Sequence, residues 1–528
     1  MLRVNNIRVP LDFDFSGLES FCIKKFRISL DNLISTKLSK KSVDARKKSD
    51  VHFIISIDIE LKNENSVKIK NAVKVEKYVY KVDKVSGDFR RPVIVGFGSA
   101  GMFSALVLAM AGTRPIVLER GSDVDTRCED VEKFSSVGIL NPECNIQFGE
   151  GGAGTFSDGK LTTGIKDKRI EWILRKFVEF GAPEEILYLA KAHIGTDRLV
   201  NIVKNLREQV IQYGGEVIFN ARFCDFRTDG NNISKVTYTD GKNFHKIKTD
   251  NLILATGHSA RDVFELLYSK NISLSQKNFS VGVRIEHKRQ DIDKAMYGDF
   301  AGHKALKSAD YKLAVHLPNG RTLYTFCMCP GGEVVPASSE EKRLAVNGMS
   351  YFARNAENSN SALLVGVSPD DYKSPHVLAG MYFQRELEEK AFIAGGGDYS
   401  APVTLVGDFM DGKISEKFGT VKPSYRPSVK FARPESYLPD FVCETLRLGI
   451  KEMGRKIKGF DSPEAVLTGI ESRSSSPVRV NRNESLQSVT IQGLFPCGEG
   501  AGYAGGIMSA SVDGMKCAEA VIKRLKGE

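Results

Sequence analysis

The chain has 528 residues, of which 41% are hydrophobic and 27% are charged, and its mean hydropathy is −0.22. A chain of this length is too long to fold around a single hydrophobic core, so we expect two or three globular domains. The composition excludes a disordered chain, and no apolar run reaches the roughly 20 residues that span a membrane. The start, MLRVNNIRVPLDFDF, lacks the pattern of a secretory signal, so we expect a cytoplasmic protein without membrane partners.

The cysteine content argues against a disulfide framework and against a metal centre. The nine cysteines are an odd number and include no C-x-x-C pair, so we expect neither structural disulfides nor a bound metal. Cys327 and Cys329 form a C-x-C pair within YTFCMCPGG. Alternate residues of a strand point to one face, so we interpret the two as small hydrophobic residues in preference to a redox or ligand pair.

Residues 1–88 predict a small basic α/β domain. VHFIISIDIEL (51–61) has the β-branched composition of a strand, and ISLDNLISTKL (28–38) has the apolar spacing of a helix. The formal net charge of the chain is +10, and KLSKKSVDARKK (37–48) concentrates basic residues. We favour a solvated loop there over a nucleic-acid contact, because no aromatic residues are interleaved for base stacking.

Residues 89–274 alternate strand and helix patterns, which predicts the first part of a domain built on a parallel sheet. PVIVGFGSAGMFSA contains a buried strand, three glycines and a helix. Gly96 allows a tight turn, Gly98 lets the backbone approach a pyrophosphate, and Gly101 lets helix and strand pack closely. The next strand, PIVLER, ends in Glu119, whose carboxylate suits the hydroxyls of an adenosine ribose, so we expect NAD or FAD and not NADP.

Further glycine-rich segments favour FAD over NAD. The loop QFGEGGAGTFSDGKLTTG (147–164) offers backbone amides to an anion or a flavin edge, and TDNLILATGHSARD (249–262) is a strand that ends in a Thr-Gly turn. GLFPCGEGAGYAGGIMSASVDGMKCAEAV (493–521) is a short strand, a turn and a long helix. A helix N-terminus stabilises the negative charge of a reduced flavin, and NAD alone would leave this second turn without a ligand.

The predicted cofactor is therefore FAD, bound non-covalently. A nicotinamide that reduces the flavin would have to dock transiently in a domain inserted at residues 275–464, because the sequence holds no second complete GxGxxG fold. The residues expected to contact FAD are Gly96, Gly98, Ala100, Gly101, Glu119, Arg120, Gly151, Gly152, Gly154, Thr155, Ser157, Lys160, Thr256, Gly257, Gly498, Glu499, Gly502, Gly505 and Gly506.

Residues 275–464 change to the patterns of antiparallel strands and predict an inserted α+β domain that covers the flavin. FSVGVRIEH (279–287) alternates strictly, and RTLYTFCMCPGGEVVPAS reads as two strands joined by a Pro-Gly-Gly turn. LPDFVCETLRLGIKEMGRKIKG predicts an amphipathic helix. Residues 465–528 return to a strand and a helix, which would complete the FAD-binding domain.

The catalytic residues are not identified by any single motif. Several arginines near the flavin would suit a carboxylate or phosphate substrate, and a histidine could donate a proton during hydride transfer. For each residue a structural or surface role is the simpler interpretation. The candidates are Arg284, His258, His287, Arg354 and Arg479, with Tyr324, Cys327 and Arg473 as further members of the group.

The sequence resembles the bacterial proteins described as uncharacterised FAD-dependent, or NAD(FAD)-utilising, dehydrogenases. The resemblance covers nearly all of residues 89–528 and implies a glutathione-reductase-like flavoprotein fold. In that fold a Rossmann-like FAD-binding domain of the GR2 type is interrupted by a substrate domain. The resemblance implies no particular substrate. The segments that carry it are GGAGTFSDGKL, ATGHSARD, FSVGVRIEH, YTFCMCPGGEVVPASSE, SSSPVRV and GLFPCGEGAGYAGGIMSA.

We therefore expect an FAD-dependent oxidoreductase that transfers hydride through the flavin to an unidentified small molecule, for which the arginines favour an anion. Two alternatives stay open. One is a flavin-dependent RNA-modifying protein that uses the basic N-terminal domain, and the other is a non-catalytic flavin redox scaffold. The sequence does not indicate an oligomeric state.

Overall fold

In the computed structural model, which describes residues 1–528, the N-terminal segment forms a four-stranded antiparallel sheet with one helix. Its elements are β1 (Leu2–Val9), α1 (Leu18–Phe26), β2 (Leu33–Asp44), β3 (His52–Leu61) and β4 (Ala72–Lys74). The strand order is β2-β3-β1-β4, and the buried isoleucines of β3 form the centre of a separate small core. The strand expected at residues 51–61 is confirmed.

Two expectations for this segment were wrong. ISLDNLISTKL contains a short 3₁₀ turn followed by the start of β2 and no α-helix, and much of the basic segment 37–48 lies in β2 where we expected a loop. Both errors have one cause. The backbone of β2 pairs along its length with β3, and such tertiary pairing outweighs a local helical spacing of apolar residues.

The second unit is a five-stranded parallel sheet with helices on its faces, as the strand and helix alternation predicts. The strand order is β23-β11-β5-β6-β7, so the C-terminal strand lies beside the strand that ends in Ala-Thr-Gly. Its strands and helices are β5 (Val93–Val95), α2 (Ser99–Met110), β6 (Ile116–Leu118), α3 (Val124–Val137), α4 (Arg169–Glu179), α5 (Thr196–Gln212), β7 (Glu216–Ile218), β11 (Leu252–Leu254), α6 (Arg261–Ser269), β23 (Leu494–Pro496) and α12 (Ile507–Lys526).

A three-stranded antiparallel sheet precedes β11 in the chain. It consists of β8 (Arg222–Asp229), β9 (Asn232–Thr239) and β10 (Phe244–Lys248). The apolar side chains of this sheet pack into the core on one face of the parallel sheet, while α2, α5 and α12 form the core on the other face. The chain then passes through β12 (Leu274–Gln276), which pairs with β22 (Val478–Val480) where the chain returns.

The third unit is a seven-stranded sheet in the order β14-β15-β18-β13-β21-β19-β20, in which every pair except β19 and β20 is antiparallel. A short sheet of β16 and β17 packs beside it. The elements are β13 (Phe279–Lys288), α7 (Arg289–Tyr297), β14 (Ala314–His316), β15 (Thr322–Cys329), β16 (Glu333–Pro336), β17 (Val346–Met349), β18 (Asn358–Val367), α8 (Pro369–Tyr372), α9 (Ala379–Ala394), β19 (Ala401–Leu405), α10 (Val406–Asp411), β20 (Val429–Phe431), α11 (Asp440–Lys456) and β21 (Val466–Glu471).

The structure refines three expectations for this unit. The amphipathic helix is confirmed as α11, whose apolar stripe is buried. The strands β15 and β16, which flank the Pro-Gly-Gly turn, do not pair with one another: β15 pairs with β14 and β18, and β16 pairs with β17. Strand β21 pairs with β13 and β19, so residues 466–471 belong to the antiparallel sheet and not to the final segment that we expected from residue 465 onward.

The helices of the structure do not include a membrane-span candidate. None of them combines the necessary length with a sufficiently apolar sequence.

Candidate functional site

A cavity of about 1040 Å³ lies where the parallel sheet meets the antiparallel sheet. Residues that follow β5, β6 and β11 line it on one side, so it opens at the carboxyl ends of parallel strands. Residues of β15, β17 and β21 line it on the other side. The cavity is therefore built by two units, and its volume suits a ligand as large as a dinucleotide.

The first glycine motif forms the turn between β5 and α2. Gly96 has a φ of 95°, and a side chain there would place its Cβ 2.4 Å from the carbonyl oxygen of Ala255. A Cβ at Gly101 would lie 1.8 Å from the carbonyl oxygen of Gly96, so the absence of a side chain lets helix and strand pack closely. Helix α2 begins after Gly98 without a side-chain cap, which leaves its first amides free for an anion.

The loop after residue 147 approaches this turn from the opposite side. The amide of Gly151 donates to the carbonyl oxygen of Phe97 at 2.9 Å, and a Cβ at Gly152 would lie 2.8 Å from the Cα of Gly98. Arg127, fully buried, donates to the carbonyl oxygens of Asn145 and Ile146 at 2.9 and 2.8 Å and so shapes the loop from below. The two glycine-rich segments form one narrow cradle in which a side chain at Gly96 or Gly152 would collide with backbone.

Glu119 connects the segments of this cradle. Its Oε2 accepts from the amide of Phe97 at 2.7 Å, and its Oε1 accepts from the amides of Gly121 and Gly149 at 3.0 and 2.9 Å. The side chain lines the cavity although the residue is only 4% exposed. The carboxylate therefore organises the turn as well as facing the ligand position that the sequence suggested for it.

The second glycine motif lies at the N-terminus of α12. This helix begins after Gly506 without a side-chain cap, and its first turn lines the cavity. Glu499 lies 3.4 Å from Nδ1 of His258, while Nε2 of His258 is buried and has no hydrogen-bond partner. An unpartnered buried nitrogen in a cavity wall marks a position that a ligand can satisfy.

Most of the residues expected to contact FAD line this cavity. Three of them lie outside its wall: Gly101 packs against Gly96, Thr155 lies buried behind the loop, and Gly498 donates its amide to Asp513 at 2.7 Å. Those that line it are Gly96, Gly98, Ala100, Glu119, Arg120, Gly151, Gly152, Gly154, Ser157, Lys160, Thr256, Gly257, Glu499, Gly502, Gly505 and Gly506.

Asp513 supports the second motif from behind. Besides accepting from Gly498, it accepts from both terminal nitrogens of Arg482 at 2.9 and 2.6 Å. The sulfurs of Cys497 and Cys517 lie within 4.8 Å of this carboxylate, a spacing that could hold a metal ion. The guanidinium already neutralises the carboxylate, so the cluster is better described as a buried ion pair beside two thiols.

A cluster of three charged side chains lies at the cavity, formed by Arg354 of the antiparallel unit and by Asp158 and Lys160 of the glycine-rich loop. Asp158 accepts from Nε of Arg354 at 2.9 Å, and Nζ of Lys160 lies 3.2 Å from the same carboxylate. Burial would raise the pKa of Asp158, but the two cations lower it, so the carboxylate is ionised. One negative charge between two positive charges leaves an excess of one positive charge beside the cavity, which favours an anionic ligand.

The catalytic candidates divide into two groups. His258, Arg354 and Arg473 line the cavity. Three others do not line it. Arg284 is fully buried on β13 and donates to Glu471 at 2.6 Å, His287 is buried with a ring nitrogen 2.7 Å from the carbonyl oxygen of Phe460, and Arg479 lies over the ring of Tyr503.

Several cavity residues were missed or misinterpreted from sequence. Asp158 stands within the quoted loop, where the pair Asp158 and Lys160 could have suggested a charged site. Glu471 was missed because its strand, β21, belongs to the antiparallel sheet and not to the segment in which we placed it. Burial raises the pKa of its carboxyl to about 7 despite the pairing with Arg284. Cys327 was interpreted as one of two residues on the same strand face, but it has a φ of 41° and lines the cavity.

Comparison with known proteins gives one close relative and two domain matches. Residues 278–474 match the family described as FAD-dependent protein, C-terminal domain-like, and residues 1–60 match a domain of unknown function, DUF8436. An uncharacterised protein of Clostridium beijerinckii is 48% identical over 539 residues, which cover 99% of each chain.

The similar solved structures are more distant. The flavin-dependent brominase Bmp2 is 13% identical over 83% of this chain and 80% of that chain, with a TM-score of 0.39. A flavoprotein/dehydrogenase from Cytophaga hutchinsonii is 12% identical over 83% and 79% of the two chains, with a TM-score of 0.36. Scores this low support no inference about the chemistry of the present chain.

Proposed function

We propose that this chain, which belongs to one family with the uncharacterised Clostridium beijerinckii protein and matches the FAD-dependent protein, C-terminal domain-like family over residues 278–474, is an oxidoreductase that transfers hydride between FAD and an anionic small molecule. The observation that carries this proposal is the single cavity shared by the glycine-rich cradle and the antiparallel sheet. A dinucleotide site alone would need only the first of these two walls. The second wall supplies the space and the charge for a substrate.

The residues of the cavity fit FAD. The cradle at Gly98 and Gly152 admits a pyrophosphate because no side chain fills it, and the free amides of α2 point toward that position. Glu119 would accept a ribose hydroxyl with the one lone pair, on Oε2, that the three backbone amides leave free. The first turn of α12 would face the charged edge of the flavin, and His258 would use its unpartnered nitrogen there.

FAD supplies the hydride chemistry when bound, and the protein supplies orientation and charge. Arg354 and Lys160, which share Asp158, would attract a carboxylate or phosphate to the antiparallel side of the cavity. Arg473 lies in the same wall and is fixed by Glu388 at 3.0 and 2.9 Å. We therefore assign substrate orientation to Arg354, with Arg473 as a second contact, and leave hydride transfer to the cofactor.

The N-terminal domain does not favour the RNA-modifying alternative. The ammonium group of Lys41 lies 4.2 Å from the ring centres of both Phe15 and Phe53, so these aromatic faces are covered by a lysine of the same domain. Single-stranded RNA binding commonly relies on aromatic faces that are free for base stacking. Salt-sensitive RNA binding that disappears with residues 1–74 would reverse this preference.

The decisive experiment is the visible absorption spectrum of the purified protein. Bound FAD gives bands near ~450 nm, and denaturation should release the flavin because the proposed binding is non-covalent. Anaerobic addition of NADH and NADPH separately would then identify a nicotinamide donor by bleaching of the bands. A protein that shows no flavin bands even after incubation with FAD would contradict the proposal.

A further inference from the structure

Cys327 occupies an irregular position at the cavity end of β15. The pairing of β15 with β18 shifts register between Phe326 and Cys329, so the chain leaves the regular ladder at Cys327. Its φ of 41° is uncommon for a residue with a side chain. Bulges of this kind redirect side chains next to functional sites, and this one brings Cys327 into the cavity wall.

Cys329 lies directly behind Cys327. It is fully buried, and its sulfur lies 3.2 Å from the carbonyl oxygen of Cys327. Neither sulfur is in a disulfide. Cys327 therefore lies in the cavity wall, and the thiol of Cys329 is enclosed within hydrogen-bonding distance of the Cys327 backbone.

Positive groups surround the pair. Lys160 donates to the carbonyl oxygen of Met328, the residue between the two cysteines, and Arg284 donates to the carbonyl oxygen of Cys327 at 3.2 Å. The neighbouring Cys329 side chain lowers the pKa of Cys327, burial opposes this shift, and the charges of Lys160 and Arg284 add to the lowering. The carboxylates of Asp158 and Glu471 also face the pair, but each is already joined to one of these cations or to Arg354.

We propose that Cys327 and Cys329 form a redox-active thiol pair within the cavity, in which Cys327 is the nucleophile and Cys329 the resolving thiol, and that the pair reacts with small disulfides. The position of Cys327 in the wall makes it the accessible sulfur, and the enclosure of Cys329 makes it the second one to react. This inference rests on the proposed function for the identity of the cavity and goes beyond it by adding a second substrate class, small disulfides, to the anionic molecule proposed there.

The exchange balances without any other reagent. The thiolate of Cys327 attacks one sulfur of a disulfide RSSR, which forms a mixed disulfide with Cys327 and releases RS⁻. Cys329 then loses its proton and attacks the sulfur of Cys327, which forms the internal disulfide and releases a second RS⁻ that takes up the proton. Two electrons pass from the protein to the substrate. Return of the pair to two thiols needs two electrons and two protons, which reduced FAD (FADH₂) in the proposed site would supply as it is oxidised to FAD.

The test is a mass analysis of the holoprotein after anaerobic treatment with 2-hydroxyethyl disulfide. Trypsin releases residues 322–342, which contain both cysteines and no other cysteine. We expect this peptide to lose two hydrogens and to resist alkylation. A peptide that stays fully open to alkylation would overturn the inference, whatever the behaviour of any variant.

Three variants define the roles of the two sulfurs. Cys329→Ser should stop at the mixed disulfide on Cys327, and Cys327→Ser should form neither product. Cys224→Ser is the matched control, because Cys224 is partly exposed on β8 and lies outside the cavity, and this variant should behave as the wild type. Cys327 should react at least about tenfold faster than Cys224 at neutral pH, because a larger fraction is thiolate. Equal rates would overturn the assigned nucleophile.

The same samples separate this inference from the proposed function. Flavin bands together with an unreactive peptide would contradict the thiol pair and leave the oxidoreductase proposal intact. A peptide that forms the disulfide in a protein that never binds FAD would support the pair and contradict the proposed function.

Discussion

The carboxylate of Glu119 shows how one residue serves both the fold and the site. It accepts hydrogen bonds from amides in three separate segments and also forms part of the cavity wall. Its neutral isostere, glutamine, keeps one acceptor oxygen but loses the charge. The amide nitrogen of glutamine would face a backbone N–H group on whichever side it lies, so a substitution at this position tests the turn and the ribose assignment together.

Glu119→Gln should weaken FAD binding by about tenfold to a hundredfold, because a hydrogen bond to a charged acceptor is worth about 1.5–3 kcal/mol. The measurement is a fluorescence titration of the apoprotein with FAD. Glu208→Gln, a substitution of an exposed acid on α5, is the control and should bind FAD as the wild type does. Equal affinity in both variants would contradict the role of Glu119.

Glu471 should make stability depend on pH. Burial raises the pKa of its carboxyl to about 7, above the value of an unfolded glutamate. The folded protein therefore favours the protonated form, and this contribution is present below about pH 4.5 and is lost as the pH rises toward 7. Between pH 5 and pH 8 the wild type should thus lose stability, by up to about 3 kcal/mol from this group.

Glu471→Gln should show a smaller fall in thermal midpoint over the same pH interval, because glutamine does not titrate. The pH slope of the midpoint, and not its absolute value, isolates the titration, because the substitution also changes the hydrogen-bond partner of Arg284. Glu208→Gln should keep the slope of the wild type. A Glu471→Gln variant with the wild-type slope would show that this carboxyl does not titrate in the interval.

At the scale of secondary structure, helices α6 and α9 are joined by a buried ion network. Glu388 on α9 is fully buried and accepts from Arg261 on α6 at 2.8 Å and from Arg473 at 2.9 Å. The pairings with both arginines lower the pKa of Glu388, although burial opposes them. The network ties the antiparallel unit to the FAD-binding unit and fixes one cavity arginine.

Glu388→Gln should lower the stability of the protein by about 3 kcal/mol, because Arg473 loses its carboxylate partner and Arg261 keeps only Glu340 as a counter-charge. The matched control on the same helix is Glu386→Gln, which breaks an exposed pair with Lys390 and should cost no more than about 0.5 kcal/mol. Thermal unfolding followed by circular dichroism measures both. Equal midpoints would indicate that the network contributes specificity and little stability.

At the scale of the whole molecule, the N-terminal sheet has its own core and contributes no residue to the cavity. It meets the FAD-binding unit through β2, where the amide of Lys41 donates to the carbonyl oxygen of Tyr188 at 2.7 Å. The following segment packs on that unit separately, with Tyr80 against Trp172. The domain is therefore attached beside the site and is not part of it.

Removal of residues 1–74 should leave FAD binding unchanged within about twofold, because the cavity wall stays complete. The ratio of flavin absorbance to protein absorbance in the purified truncated chain measures this. A folded truncated chain that no longer retains FAD would show that the N-terminal domain stabilises the cavity from a distance.

The glycine spacing, the acid at the end of β6 and the strand patterns determined much of the fold from the sequence alone. These signals are local, since each depends on a turn, a strand end or a helix start within a few residues. The parallel sheet, the return of the C-terminal strand and the helix α11 were predicted in this way. The helix expected at 28–38 failed because pairing with β3 outweighed the local pattern.

Only the tertiary structure decided which side chains meet in the cavity. Arg354 and Asp158 form an ion pair across 196 residues of sequence, and Cys327 reaches the wall because the pairing of β15 with β18 is interrupted. The sequence also could not separate Arg284, which is buried on β13, from Arg354, which lines the cavity. Contacts between distant segments depend on how the two sheets pack, and no pattern within one segment encodes that packing.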